Sequence, residues 1–444
     1  MLVWSGQAVS LVGSAAVRFA FVVDVWSTGE RASAVTALSL CALLPQALLS
    51  PLAGAIVDRM RKRSALQLAD AGGLLVVGCL ALLHYLGLLH SWQIYVATAL
   101  LGACAAFQFP ALSSAVPLLV RKDQLGRANG LLGGAKSAAS IGGPALGGIL
   151  LTVFGIGPTL LADLVSYAIA LIGVRLVRLT GDRPAPPSGP RRRITAESGE
   201  GLRYLFRTPG LRDLIINFCV VNLVMVFGFA LIQPMVLLRA DSAALAAVNS
   251  AIGVGGVAGG LLMAAWGGPR DRGRGMMLGV IGMCLSALVG MAFAGGVLGW
   301  SVAVLIGALL MTVVNSQMNA IVQSKVPQEW QGRVFGAVMF LGYISVPLAT
   351  ALSGPLADHV FEPQAAHGTG LFTVLGPLFG DRPGSGMAGM FFLAGLAGIG
   401  VSLWGLASRN IREIDLVMPD ADDDADDGAH DVREDEGARD EVRA

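Results

Sequence analysis

The sequence predicts an all-α membrane protein: twelve transmembrane helices arranged as two pseudo-symmetric six-helix bundles. Three observations carry that expectation. The chain of 444 residues is 54% hydrophobic and 14% charged, with mean hydropathy +0.68, against about 45–50% apolar and 25% charged in globular domains. Apolar runs of about 18 to 25 residues recur along it, each able to cross a hydrocarbon core about 30 Å thick. Two stretches, VRKDQLGRANG (120–130) and VPQEWQGRVFG (326–336), align without a gap at an offset of 206 residues. Spanning strands would instead read as weak alternating segments of about ten residues.

Taken in order, spans are predicted at 2–26, 32–56, 66–88, 93–116, 129–154 and 158–179, giving an N-terminal bundle over residues 1–179. The first run begins at residue 2 without a charged leader or cleavage motif, and so reads as a retained span rather than a signal peptide. A Pro-rich linker follows at 180–210, and in its latter part Leu202, Leu205 and Phe206 stand beside Arg203 and Arg207. That pattern predicts a short helix lying on the membrane surface. Spans at 211–238, 244–265, 276–297, 300–322, 334–357 and 386–407 then make a C-terminal bundle over 211–408. The two aligned stretches share V-x-x-[DE]-x-x-G-R-x-x-G, which pairs Asp123 with Glu329 and Arg127 with Arg333. Each copy follows four spans and precedes a fifth, so the halves are parallel repeats about an axis along the membrane normal.

Two segments break the symmetry. In the long loop 358–386, the piece LFTVLGPLFG is too short to cross the membrane and too apolar to float free, which leaves an embedded plug and a lid both open. The tail, 409–444, is predicted to be disordered and solvated, since residues 419–444 hold twelve Asp or Glu against three Arg.

Charge fixes the expected orientation. With the even-to-odd loops assigned to the cytoplasm, 26 of the 31 Lys and Arg fall on that side, the exceptions being Arg18, Arg31, Lys136, Arg239 and Arg382. In the cell membrane, both termini are therefore expected on the cytoplasmic side. Residues 1–418 carry 28 basic and 18 acidic side chains, an excess suited to an anionic inner leaflet and not a sign of nucleic-acid binding. The five cysteines lie in apolar runs, with no C-x-x-C, so neither a metal nor a cofactor is expected. GLLGGAKS (130–137) imitates a phosphate-binding loop, but Ala135 replaces the needed glycine and the stretch lies inside an apolar helix. No nucleophile, base and orienter come together, so an enzyme is not expected.

At the end of span two, GAIVDRMRKR (54–63) resembles the G-x-x-x-D-R-x-G-R-[KR] loop of the major facilitator superfamily through Gly54, Asp58, Arg59, Lys62 and Arg63, with Arg61 replacing the second glycine. Span five resembles the G-x8-G-x3-G-P-x2-G-G pattern of the family's exporters through Gly130, Gly143, Pro144, Gly147 and Gly148, with Ala139 for one glycine. WSGQAVSLVGS and LGRANGLL look most like the branch of bacterial siderophore exporters and macrolide efflux proteins. The resemblance covers the chain to about residue 408. It implies the major facilitator fold, a central cavity lined by helices one, four, seven and ten, and spans five and eight side by side where the halves meet. It also makes the Asp58 cluster a gate, with basic residues that only fix topology as the plain alternative. Loop eight–nine, WGGPRDRGRG, has no acid aligned with Asp58, so the gate is expected to be one-sided.

Polar residues inside spans are the pathway candidates, because intramembrane charge is costly and seldom faces lipid. They are Arg18 and Asp24 in span one, Gln108 in span four, Lys136 in span five, Asp163 in span six, Asn217 and Asn222 in span seven, and Asn315 and Asn319 in span ten. Asp70 and Asp163 both lie near the ends of their spans. Lys136 either faces the pathway or snorkels to a cytoplasmic end about 10 Å away at 1.5 Å per residue. The glycines of span five are expected to meet Gly253, Gly255, Gly256, Gly259 and Gly260 of span eight in an outer seal. The functional expectation is a monomeric secondary transporter exporting a small amphipathic drug, siderophore or other secondary metabolite. It would work by alternating access with proton antiport, Asp24 and Asp163 being the proton-carrying candidates. The alternatives are an importer of the same fold and a non-transporting membrane sensor.

Overall fold

The computed structural model describes residues 2–119, 125–176, 202–380 and 382–414. The first bundle contains α1 (Leu2–Gly29), α2 (Ala32–Arg59), α3 (Lys62–Tyr85), α4 (Ser91–Leu119), α5 (Leu125–Phe154) and α6 (Ile156–Leu176). The second contains α7 (Pro209–Arg239), α8 (Ser242–Trp266), α9 (Arg272–Phe293), α10 (Gly296–Lys325), α11 (Gln328–Leu356) and α12 (Ser385–Ala407). Among the described residues no strand forms, and eleven of these helices are long and apolar enough to cross a membrane. The remaining predicted span, 334–357, falls on α11, a 29-residue helix of which several side chains lie outside the described set.

Helix ends overrun the apolar windows for a physical reason. A hydropathy window stops at the first charge, whereas a helix continues until its backbone groups find caps. Asp241 accepts the Ala244 N–H at 2.8 Å to start α8, and Asp271 accepts that of Arg274 at 3.1 Å to start α9. Gly267, at φ 78°, closes α8 in the left-handed conformation that glycine adopts without strain.

In lipid both faces of a helix are apolar, so small and polar residues mark the inward side. On α6, Leu161, Val165, Ile169 and Ile172 are exposed, while Leu160, Asp163, Tyr167, Ala170 and Val174 are buried. On α3, Leu68, Leu75 and Leu82 repeat every seven residues on the exposed side, opposite buried Leu66, Ala69, Asp70, Val77 and Leu80.

The end carrying the α1–α2, α5–α6, α7–α8 and α11–α12 connections is called here the cap end, and the opposite one the linker end. The halves pack through α2 against α11 and α5 against α8. At the cap end, Asp358 just beyond α11 accepts the N–H groups of Ala32 at 3.0 Å and Ser33 at 2.8 Å. A carboxylate of one half thus caps the first turn of α2 in the other. Gly354 lets the two chains meet: a Cβ there would lie 2.6 Å from Ser33 Cα.

The loop 358–386 is ordered over its described residues. The chain leaves α11 through a π-helical turn, Ala357–Phe361, continues as Glu362–His367, and forms a short helix, Phe372–Phe379. Phe372 and Leu375 are buried, and Phe379 stacks with Phe293 and Phe392 at centroid distances of 5.2 and 5.7 Å. The segment is seated on α9 and α12 of its own half. Glu362 accepts the N–H groups of Gly384 at 3.2 Å and Met387 at 2.9 Å, capping α12.

The short helix expected late in the linker forms, with Arg203, Phe206 and Arg207 exposed. Residues 202–207 are helical, but Leu205 is fully buried and Tyr204 stacks on Trp330 at 5.2 Å, so this turn docks on the protein. The expectations for 180–201, for Asp123 and for the acidic tail beyond residue 414 lie outside the described residues, as do the side chains of Arg127, Glu329 and Arg333.

Candidate functional site

A cavity of about 640 Å³ lies at mid-height between the bundles, within the range of small-molecule sites. Its walls come from α1 (Leu11, Ala15, Arg18, Val22), α2 (Leu38, Ser39, Leu43), α4 (Thr98), α5 (Lys136, Ser140, Pro144), α7 (Gln233) and α8 (Asn249, Ile252). Two cations, Arg18 and Lys136, are among the described residues that line this space. Lys136, for which the sequence leaves a pathway position and a helix-end position both open, is thus one of the cavity's lining residues. The expectation that helices one, four, seven and ten form the walls is corrected in part, since α2, α5 and α8 contribute and α10 does not.

Behind the cavity wall, the first bundle buries two carboxylates. Asp163 is 1% exposed, and its Oδ1 accepts from Ser166 Oγ at 2.9 Å and Ser14 Oγ at 3.2 Å. Its Oδ2 has no hydrogen-bond partner, and its counter-charge is Arg18. Gly13 makes the room: a Cβ there would stand 2.8 Å from Asp163 Oδ1. Nearer the linker end, fully buried Asp70 accepts from Gln7 Nε2 at 2.7 Å through Oδ2 and from Gln108 Nε2 at 3.0 Å through Oδ1. Neither position is solvated as its place near a span end implied. Asp70 and Gln7 were not among the predicted site residues. An acid and two amides falling inside apolar runs are the only sequence signal for this cluster.

The other candidates scatter. Asp24 sits towards the cap end beside His84 and does not line the cavity. Asn217 is fully buried and donates to the Val401 carbonyl at 2.8 Å, tying α7 to α12. Asn222 accepts from Ser345 Oγ at 2.7 Å, tying α7 to α11. Both are interhelical fasteners here. Asn315 and Asn319 lie with Gln323 on one exposed stripe of α10 and are not among this cavity's lining residues.

The glycine seal is also re-paired. A Cβ on Gly143 would strike Ala15, and one on Gly147 would lie 2.6 Å from the Ala16 carbonyl, so both seat α5 on α1. Gly255 and Gly259 seat α8 on α10, against Leu305 and Leu309, and Gly256 and Gly260 face open space. The α5–α8 contact rests instead on Gly148 against Ala246, Gly253 against Ile141, and a 2.9 Å bond from Ser250 Oγ to the Ile141 carbonyl. Pro144 lies within α5 and lines the cavity. Gly130 lies on α5, but its surroundings are outside the described set.

Of the loop after α2, Lys62 donates to the Val57 carbonyl at 2.9 Å and Arg63 to that of Arg175, placing positive charge at the last turns of α2 and α6. Gly54, Asp58 and Arg59 lie on α2, with their surroundings outside the described set.

Comparison with known proteins agrees with this architecture. The family model described as Major Facilitator Superfamily matches residues 3–350. Macrolide efflux protein A of Streptococcus pyogenes is 26% identical over 367 residues, covering 81% of this chain and 89% of that protein. Multidrug efflux pump Tap of Mycolicibacterium fortuitum is 26% identical over 329 residues, covering 72% and 80%. Among solved structures, a POT family transporter in complex with 5-aminolevulinic acid aligns with TM-score 0.66 at 12% identity, covering 91% of this chain and 95% of that one. A bacterial homologue of the human lysosomal transporter Spinster aligns with TM-score 0.62 at 14% identity, covering 92% and 96%.

Proposed function

The chain belongs to the major facilitator superfamily and is a multi-pass membrane carrier of small molecules, not an enzyme, and we propose that it exports an amphipathic drug, siderophore or other secondary metabolite by proton antiport. The cavity at the interface of the bundles, with Arg18 and Lys136 set in an otherwise largely apolar wall, is the observation that carries the reading. Apolar walls take the body of an amphipath, and the two cations set in them favour cargo bearing anionic or acceptor groups. The names of the efflux relatives support export.

The linker end, where the basic residues concentrate, faces the cytoplasm in this proposal, with both termini inside. The packed cap end then faces outward. Cargo enters from the cytoplasmic side, and rocking of the halves exposes it to the outside. Buried Asp163 is the proton carrier, coupled to the cavity through Arg18, which acts on it and lines that space. The Asp58, Arg59, Lys62 and Arg63 cluster acts as the linker-end latch in the outward-facing state. The protein works as a monomer.

The test is Arg18→Ala in cells challenged with a macrolide, a siderophore and an amphipathic dye. Export of the transported compound falls at least ten-fold while the amount of protein in the membrane is unchanged. Equal export would remove Arg18 from the pathway, and loss of protein alone would make it structural.

A further inference from the structure

Three side chains from three helices meet at Asp70, and their chemistry suits two protonation states. With the carboxyl ionised, Gln7 and Gln108 each donate an amide N–H to it. Gln108 Nε2 also lies 3.3 Å from Gln7 Oε1, which links the two amides to each other. A half-turn of either amide exchanges its N–H for its carbonyl oxygen. That oxygen can accept the O–H of the protonated acid. Satisfying either state therefore needs no movement of helix backbone.

Among the described residues, no basic side chain is one of the groups acting on Asp70, in contrast to Asp163, which has Arg18. The titratable groups facing Asp70 are Cys104 on α4 and Tyr167 on α6. Those acting on Asp163 are Arg18 on α1 and Tyr167 on its own helix. Tyr167 lies between the two acids. Its hydroxyl stands 2.8 Å from where a Cβ on Gly73 would lie, one turn along α3 from Asp70, and it lies near Ser14, which binds Asp163. A permanently ionised carboxylate without a cation is an expensive buried group, whereas one that gains and loses a proton has a use for the site.

We propose that Asp70, held between Gln7 and Gln108, is a second proton-carrying carboxylate, which with Asp163 makes the first bundle the proton-handling half of the transporter. A proton from water at one membrane face converts the Asp70 carboxylate to the acid, and one glutamine amide turns to accept its O–H. The same proton leaves to water at the other face, and both amides again donate. Gln7, Ser14 and Arg18 are seven and four residues apart, so one stripe of α1 touches both acids and the cavity. Motion of α1 is then felt at all three sites.

The role in transport rests on the antiport reading, but proton binding at Asp70 can be measured without it. Infrared difference spectra of the full-length protein in lipid nanodiscs, recorded across a pH series, follow the carbonyl band of protonated carboxylic acids. Asp70→Asn removes one pH-dependent component and leaves a second, which Asp163→Asn removes. Gln108→Leu keeps the carboxyl and displaces the midpoint of the Asp70 component, which carries the test if Asp70→Asn fails to insert. Unchanged carbonyl bands in Asp70→Asn, or an undisplaced midpoint in Gln108→Leu, would overturn the proposal. Separately, wild-type export that persists undiminished when the pH gradient is collapsed would refute antiport while leaving the titration of Asp70 intact.

Discussion

The two bundles share a helix plan and differ in how several of their acids are held. In the first, Asp70 and Asp163 sit within helices and are met by side chains alone. In the second, Asp241, Asp271 and Glu362 sit at helix starts and are met by backbone N–H groups, while Asp358 does the same for α2 across the interface. The interior of the second bundle buries amides, hydroxyls and Lys325 among sulfur and hydrocarbon, with no buried carboxylate among its described residues. Met225, Met276, Met277, Met283, Met291, Cys284 and Leu288 are buried there, with Cys284 Sγ 3.9 Å from Met225 Sδ. A carboxylate at a helix start is held in its charged form by N–H groups and the helix dipole, and it stabilises the fold. One within a helix depends on neighbours that can themselves turn. The first arrangement serves structure, and the second can serve a cycle.

That contrast breaks most sharply at Asp163. Asp163→Asn should reduce gradient-driven export in membrane vesicles at least ten-fold without lowering the thermal midpoint, whereas Asp241→Asn, which keeps its cap, should change neither. A fall in both properties for Asp163→Asn would make it structural, like its counterparts. At the next level, a leucine at Gly148 meets Ala246 and Phe19, and one at Gly143 meets Ala15. Overpacking of this kind costs about 1–3 kcal/mol. Crosslinking of cysteines at the cap ends of α5 and α8 should therefore fall in Gly148→Leu and persist in Gly143→Leu.

Removing the cap across the interface should have a smaller effect. Asp358→Ala leaves the first turn of α2 without its acceptor, worth about 1 kcal/mol, so the closed cap end should lose population by about five-fold. Faster thiol labelling of a cysteine at Thr36 would read that opening, and an unchanged rate would leave the cap without influence on closure. The smallest effect concerns Glu362, whose carboxyl burial pushes above its ordinary value against the opposing N–H groups of Met387 and Gly384 and the charge of Arg239. An acid with a raised value holds its proton more readily folded than unfolded. Its contribution is therefore full in acid and is lost as pH rises from the ordinary value, about 4.3, to the raised one. Glu362→Gln should flatten that slope in thermal unfolding measured across the window.

The spans were legible because crossing a membrane takes some twenty apolar residues, a signal carried wholly by local sequence. The site was legible in part. Arg18 and Lys136 stood out because charge inside a span is rare, and both line the cavity. Asp70 was passed over because distance from a span end says nothing about burial, and its partners lie 63 and 38 positions away. The glycine rows showed that helices would approach closely, but a row of small residues does not name its neighbour. Gly143 and Gly147 accordingly found α1, not α8. Asn217 and Asn222 show the same limit, since an amide that lines a pathway and one that fastens two helices are spelled alike.

The grip of Asp358 on α2 is a bond to the main chain, and that changes what heredity can do to it. Ala32 and Ser33 offer peptide N–H groups, not side chains. The bond itself asks for no particular side chain at either position, proline alone removing a donor, although the packing of buried Ala32 still limits its size. The acid consequently has no mate whose identity must change when it does. A search for positions that vary together would pass over this junction, and drift in α2 would leave it whole. One side of the closure is written in a single codon, and the other is supplied by every peptide bond.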